Sequence, residues 1–380
     1  MTNVTLKSNP ISNYDRKLAP DLARGFMLLF IALAHAHVFL YAADREITKV
    51  DQIVVLFRQV LVDGRAFPMF FLLFGYGMVQ LMLRQEEKGN DWISIRKLFR
   101  RRGWLMILIG FLHVALLFED IIALYGLATL LLVGFLRASD KKLLWIAGIF
   151  LVLVAIFGSL MPRGYDALVD NAVLSSIALE NPFLASAIRI PEWIIYTPLL
   201  VYQVVPGMLI GILAARRRIL DNPEQHLLLL VRTSMIGIGL ATVGAIPLAL
   251  MSSQYWTNPS FGAQTFATIL HTGTGYAGGL GWAAFIGLLV IKLGEKRGPI
   301  TMAIAAVGQR SMTFYIFQSV VFIAVFAPYA GGLGAHMGQA GSDVIALFTW
   351  LLSVVIADFM RRANVRGPAE TLLRKLSYRT

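Results

Sequence analysis

The sequence predicts an all-α integral membrane protein, a bundle of about ten transmembrane helices with N and C termini cytoplasmic. Three observations carry this. Apolar runs of spanning length recur along the 380 residues. The chain is 57% hydrophobic and 15% charged, where a soluble domain carries about 25% charged residues. Finally, all but six of its 34 Lys and Arg residues fall on the same side as the N-terminus. The six are Arg45, Lys49, Arg58, Arg65, Arg163 and Arg189.

Taken in order, residues 1–20 form a polar cytoplasmic tail, residues 21–362 the transmembrane domain and residues 363–380 a cytoplasmic C-terminal tail. Spans are expected at 22–43, 66–84, 103–118, 121–137, 142–160, 191–214, 227–251, 265–292, 301–327 and 342–360. The first is a retained helix rather than a signal peptide, because His35 and His37 interrupt it and no small-residue cleavage site follows. Residues 52–65 are expected as a short interfacial helix on the outer side, and 161–190 as the largest outer loop. Basic runs such as Arg84–Arg102 and Arg216–Arg218 face the cytoplasm by the positive-inside rule, and two cytoplasmic ends require an even number of spans. The net charge of +12 therefore reads as topology, not nucleic-acid binding.

The chain has no cysteine, which excludes a thiol nucleophile and thiolate metal sites. There is no phosphate-binding loop for ATP, and the six His residues lack the paired spacing of a zinc protease. No metal is expected.

Ionisable groups inside a bilayer are costly and so mark function. Here they are His35 and His37, Arg24 near the start of the first span, and Asp63 and Arg65 at the mouth of the second. His113, Glu119 and Asp120 follow at the hairpin between the third and fourth. Glu192 and Arg232 open the sixth and seventh spans, His271 lies in the glycine-rich eighth, and Arg310 lies in the ninth with the uncharged Gln318. At about 100° per residue, Arg24 and His35 share one helix face about 16 Å apart along the axis, whereas His37 points the other way. His113 and Asp120, seven apart, share a face if their helix runs on. Each polar group also has a structural reading, as a hydrogen bond or ion pair between helices.

The segment Asp21-Leu-Ala-Arg24-Gly25 followed by His35 resembles the first helix of the transmembrane acyltransferase superfamily, with ten residues between Arg and His. Arg65-Ala-Phe-Pro-Met-Phe-Phe-Leu-Leu-Phe-Gly-Tyr-Gly77 resembles its second. Three further blocks are Arg101-Arg102-Gly-Trp, Gly110-Phe-Leu-His113 and Glu119-Asp120-Ile-Ile-Ala-Leu-Tyr125. With Gly308-Gln-Arg310 through Gln318-Ser319 and Gly367-Pro-Ala-Glu370, they are similar to the YeiB-like family of bacterial membrane proteins.

The resemblance implies residence in the bacterial plasma (inner) membrane and use of acetyl-CoA or another acyl-CoA. The acceptor would be a periplasmic or outer-leaflet glycan or lipid headgroup. His35, His113, Asp120 and Glu119 are then the catalytic candidates, and which His reacts stays open. Arg24, Arg310, Gln318, Arg101 and Arg102 would hold the acyl-CoA, with Gln318 donating to the thioester oxygen. Asp63, Arg65, His37, Tyr125 and His271 would line the acceptor site. A homodimer is compatible with this reading. The alternative is a proton-coupled transporter of a small polar or anionic metabolite, with the His and acid residues as its relay.

Overall fold

A computed structural model of the protein describes residues 18–41, 47–116, 120–160, 176–294 and 297–378. Among these residues all regular structure is helical. The helices are α1 (Leu18–Ala36), α2 (Lys49–Leu61), α3 (Ala66–Glu86), α4 (Trp92–His113), α5 (Ile121–Leu132), α6 (Asp140–Leu160) and α7 (Pro182–Arg216). They continue as α8 (Leu227–Ser252), α9 (Phe261–Leu293), α10 (Pro299–Gly308), α11 (Ser311–Phe326), α12 (Gln339–Arg362) and α13 (Pro368–Ser377).

Local chemistry sets the starts. Asp91, Asp120, Asn181 and Ser260 each accept a backbone N–H from the first turn of the helix that follows, which satisfies donors the helix itself cannot. Thr48 and Asp51 form a reciprocal capping box at α2. Pro182, Pro299 and Pro368 stand at the first helical position, where a missing N–H costs nothing.

Seven helical stretches among the described residues are long and apolar enough to cross a membrane: 18–39, 49–86, 140–159, 182–216, 223–252, 261–293 and 339–362. Of the other expected spans, α4 carries Arg96, Lys97 and Arg100–Arg102 in its first half. The helical stretches 121–137, 299–308 and 311–326 are shorter. Apolar side chains such as Leu112, Trp145, Met235, Val243 and Phe348 point outward, which suits a surface solvated by lipid tails.

Helix α1 lies at the centre, packed on α3, α10, α11 and α12. Gly25 and Gly308 let α1 and α10 touch backbone to backbone, since a Cβ on Gly308 would overlap the Asp21 carbonyl. Trp350 Nε1 donates to the Gly25 carbonyl at 3.0 Å and fixes α12 to the same point.

Four expectations change. The span expected at 301–327 is two helices, because the backbone leaves helical geometry at Arg310 (φ −122°, ψ 33°). The orphaned groups at this break find side-chain partners, described below. The helix expected at 121–137 tightens into a 3₁₀ turn over Val133–Arg137. The outer loop expected to run to residue 190 ends earlier, because α7 begins at Pro182. Helix α4 stops at His113, so His113 and Asp120 do not share one helix face.

Candidate functional site

The end of α4 and the start of α5 carry the site's central pair. Asp120 caps α5, with Oδ1 accepting from Ile122 N (3.2 Å) and Oδ2 from Ala123 N (2.6 Å). Both of its oxygens therefore accept from the backbone. Its Oδ1 also accepts from His113 Nδ1 at 2.8 Å. The pair therefore forms across a turn rather than along a helix. His113 is 3% and Asp120 4% exposed, so both partners are withdrawn from water.

With Nδ1 carrying the proton, His113 Nε2 is an acceptor. Ser319 Oγ, from α11, lies 2.9 Å from it. The result is a continuous Asp120–His113–Ser319 chain built from three helices. Tyr315, one turn earlier on α11, packs its ring on His113 with centroids 5.1 Å apart. The same ring stands 6.2 Å from that of His35. His35 is buried on α1, with Nδ1 donating to the Ile31 carbonyl at 2.8 Å, which leaves Nε2 as its basic nitrogen. His35 also meets Phe67 of α3 edge-on at 5.6 Å.

Gln318 Nε2 donates to the Leu28 carbonyl at 3.1 Å. A carbonyl accepts only, so this bond sets the amide orientation, and Gln318 Oε1 is left buried with no hydrogen-bond partner among the described residues. The bond uses one of the two Nε2 hydrogens, so Gln318 keeps a donor as well as this acceptor. Tyr125 Oη is likewise buried without a hydrogen-bond partner among the described residues, its ring held by Phe70 and Phe74.

Along α3, Phe67, Phe70, Phe74 and Gly77 are half-buried at helical spacing. This stripe runs from His35 to Arg24, whose guanidinium lies against Gly77. Arg24 donates to Asp21 Oδ1 (3.2 Å) and to the Leu73 carbonyl (3.3 Å). Arg24 and His35 thus border the same face of α3, as their spacing on α1 predicts.

The other candidates lie elsewhere. Arg65 is 1% exposed. It donates to His271 Nε2 at 2.6 Å and to the carbonyls of Asp63 and Ala241. Gln59 approaches the same His271 nitrogen at 3.0 Å. Because arginine only donates, His271 serves here as an acceptor. Asp63 accepts from Arg58, which also bonds Asp343 at 2.7 Å. This is a knot that ties the α2–α3 turn to α8, α9 and α12. The glycines of α9 accommodate it: a Cβ at Gly275 would press on the Gly64 carbonyl, and one at Gly278 would meet Arg65. Asp63, Arg65 and His271 therefore come together, but as a cross-brace.

Arg310 donates to the Val365 carbonyl (2.6 Å) and the Ala306 carbonyl (3.0 Å), closing the α10–α11 break. Glu370 of α13 accepts from Met312 N, Thr313 N and Thr313 Oγ1 at 2.8, 3.1 and 2.5 Å. Arg101 is exposed and Arg102 half-buried on α4. His37 falls just past α1, in the 3₁₀ turn His37–Phe39. Glu119 lies outside the described residues. Among the described residues no group of three His, Asp or Glu side chains is placed to hold a metal ion.

Sequence reasoning missed Ser319. It sits beside Gln318 in the quoted motif, but a serine in an apolar helix gives no sign of which neighbour its hydroxyl addresses.

Fold and site together define a class: an all-helical protein with seven helical stretches suited to a membrane and a buried acid–histidine–serine chain. Residues 214–380 match a family described as "Protein of unknown function (DUF418)". The chain is 24% identical over 400 residues to "Uncharacterized protein YxaH" of Bacillus subtilis (strain 168), covering 94% of this chain and 93% of that one. It is 26% identical over 411 residues to "Uncharacterized protein YeiB" of Escherichia coli (strain K12), covering 96% and 97%. These likenesses support the YeiB-like resemblance along nearly the whole chain. Ser319 lies within the matched segment, while His35, His113 and Asp120 precede it.

Proposed function

We propose that this chain is a multi-pass protein of the bacterial inner membrane that transfers an acyl group, probe case acetyl, from a cytoplasmic acyl-CoA to an acceptor. The acceptor is a hydroxyl or amine on a glycan or lipid headgroup presented from the outer side. The observation that carries this is the His113–Asp120 pair, buried, oriented and joined through the Tyr315 ring to His35. A base of this kind removes the acceptor's proton as the new bond forms, a contribution of roughly 10²- to 10⁴-fold. Asp120 holds the tautomer and stabilises the imidazolium that forms.

The half-buried stripe of α3 gives an acyl-pantetheine arm an apolar path. Arg24 at one end suits the phosphates, and His35 and Tyr315 at the other suit the reacting carbonyl. The span of about 16 Å along α1 matches such an arm in scale. Gln318 Oε1 is an acceptor suited to an incoming hydroxyl or amine.

In this reading the shorter helices also contribute to crossing the bilayer, giving about ten spans with both termini in the cytoplasm. A reporter that works only outside the cell, fused after Thr380, should be silent, and one that works only inside should be active. The reverse result would overturn the topology.

The activity is tested with purified protein in lipid nanodiscs, radiolabelled acetyl-CoA and a panel of glycan and headgroup acceptors. CoA release is expected, and it should fall at least 10²-fold in His113→Ala. No release with any acceptor would sink the proposal. Metabolite flux in proteoliposomes that fails in the same variant would favour the transport reading, with the pair as a proton relay.

A further inference from the structure

We infer that Ser319 is a nucleophile that carries the acyl group between donor and acceptor, so that transfer proceeds in two steps through a covalent intermediate. This rests on the acyltransferase reading above and goes beyond it, since a base alone would support direct transfer.

The hydroxyl's behaviour in its helix is the first ground. Ser and Thr in apolar helices commonly return their proton to the carbonyl four residues earlier. Several in this bundle do so tightly: Ser353 to Thr349 at 2.9 Å, Thr274 to Leu270 at 2.8 Å and Thr349 to Ile345 at 2.7 Å. Ser319 differs. Its distance to the Tyr315 carbonyl is 3.4 Å, while His113 Nε2 is 2.9 Å away. The hydroxyl addresses the base.

The direction of the chain is the second ground. Asp120 is pinned by two backbone N–H groups and accepts from His113 Nδ1. The lone pair of Nε2 is therefore the one that faces Oγ. A nucleophile, a base on it and an acid orienting the base is the arrangement that activates serine. The third ground is unmet polarity on the two helices, α5 and α11, that carry Asp120 and Ser319. Gln318 Oε1 and Tyr125 Oη are buried polar atoms with no partner among the described residues, and buried polar groups are normally paired. A polar substrate would pair them.

In the first step an Oγ lone pair forms the Oγ–C bond to the thioester carbonyl, and the Oγ proton passes to His113 Nε2. The C–S bond then breaks with its electron pair on sulfur, which takes the proton from Nε2 and leaves as the thiol. In the second step the acceptor hydroxyl or amine gives its proton to Nε2 and bonds to the ester carbonyl. The C–Oγ bond breaks, and Oγ recovers the proton.

The test incubates the full chain in nanodiscs with acetyl-CoA and no acceptor, followed by rapid acid quench and peptide mass spectrometry. One acetyl group is expected on Ser319, stable to neutral hydroxylamine as an oxygen ester. In Ser319→Cys the label should sit at the same position and become hydroxylamine-labile, which a structural serine would not produce. In His113→Gln labelling should slow at least 10²-fold. Label on a histidine, no label on the native chain, or undiminished turnover in Ser319→Ala would each overturn the inference while CoA release in the native chain leaves the acyltransferase reading standing. No CoA release from the native chain would remove both.

Discussion

Arg65 and His271, 206 residues apart in the chain, are joined side chain to side chain at 2.6 Å in the interior of the helix bundle. Through this contact and its bonds to the carbonyls of Asp63 and Ala241, Arg65 links three segments that diverge in sequence. Arg65→Met should leave the part-buried Asp63 carbonyl without this donor and remove one of the two donors at His271. At a cost of roughly 1–3 kcal/mol for a group left unpaired in the interior, thermal unfolding in detergent should fall by several degrees. His271→Gln keeps an acceptor and should cost less. Equal stability of Arg65→Met and the native protein would contradict the brace.

The glycines of α9 should split into two kinds. Gly275→Ala places a methyl against the Gly64 carbonyl, whereas Gly273 has open space around it. Gly275→Ala should destabilise by about 1–3 kcal/mol as overpacking does. Gly273→Ala should be neutral or gain up to about 1 kcal/mol from helix propensity. Thermal shift of the two purified variants separates them.

Asp120→Asn separates capping from chemistry. Asn caps helices about as well as Asp, so stability should change by less than about 1 kcal/mol. Its amide, however, can donate to Nδ1, which turns the proton of His113 toward Ser319. CoA release should then drop by roughly 10²-fold or more. Matched melting and turnover measurements check this, and retained turnover would remove the pair from the mechanism.

The C-terminal helix should control α11. Glu370 caps α11 through Met312, Thr313 N and Thr313 Oγ1, and α11 carries Tyr315, Gln318 and Ser319. Glu370→Ala should cost about 1–2 kcal/mol as a lost cap and lower turnover with it. Glu370→Gln, which still accepts, should restore most of both. Deletion of residues 366–380 with full activity would show that the contact is dispensable.

Much of this was legible in the chain. The Arg24–His35 face follows from helix periodicity, and the structure sets both along one face of α3. The pairing of His113 with Asp120 is suggested by their spacing, but the reason differs. The helix ends at His113, and Asp120 returns as the cap of the next one. Asp63, Arg65 and His271 were visible as costly intramembrane groups, yet nothing in their spacing tells a brace from a binding site. The break at Arg310 was hidden because residues 301–327 read as one apolar run, and Glu370, which pairs the freed N–H groups of Met312 and Thr313, and Val365, which anchors the Arg310 guanidinium, lie more than 50 positions away.

By itself the sequence determined the helical class, the apolar stretches and the uneven basic charge, because hydropathy and helix period act within about one turn or one span. It also determined which polar groups had to be explained. Only the tertiary structure decided their partners: His113 with Ser319 across 206 positions, Arg65 with His271 across another 206. Hydrogen bonds of a few ångströms are set by how separate helices pack, and a residue's type fixes what it can donate or accept but not which neighbour will arrive.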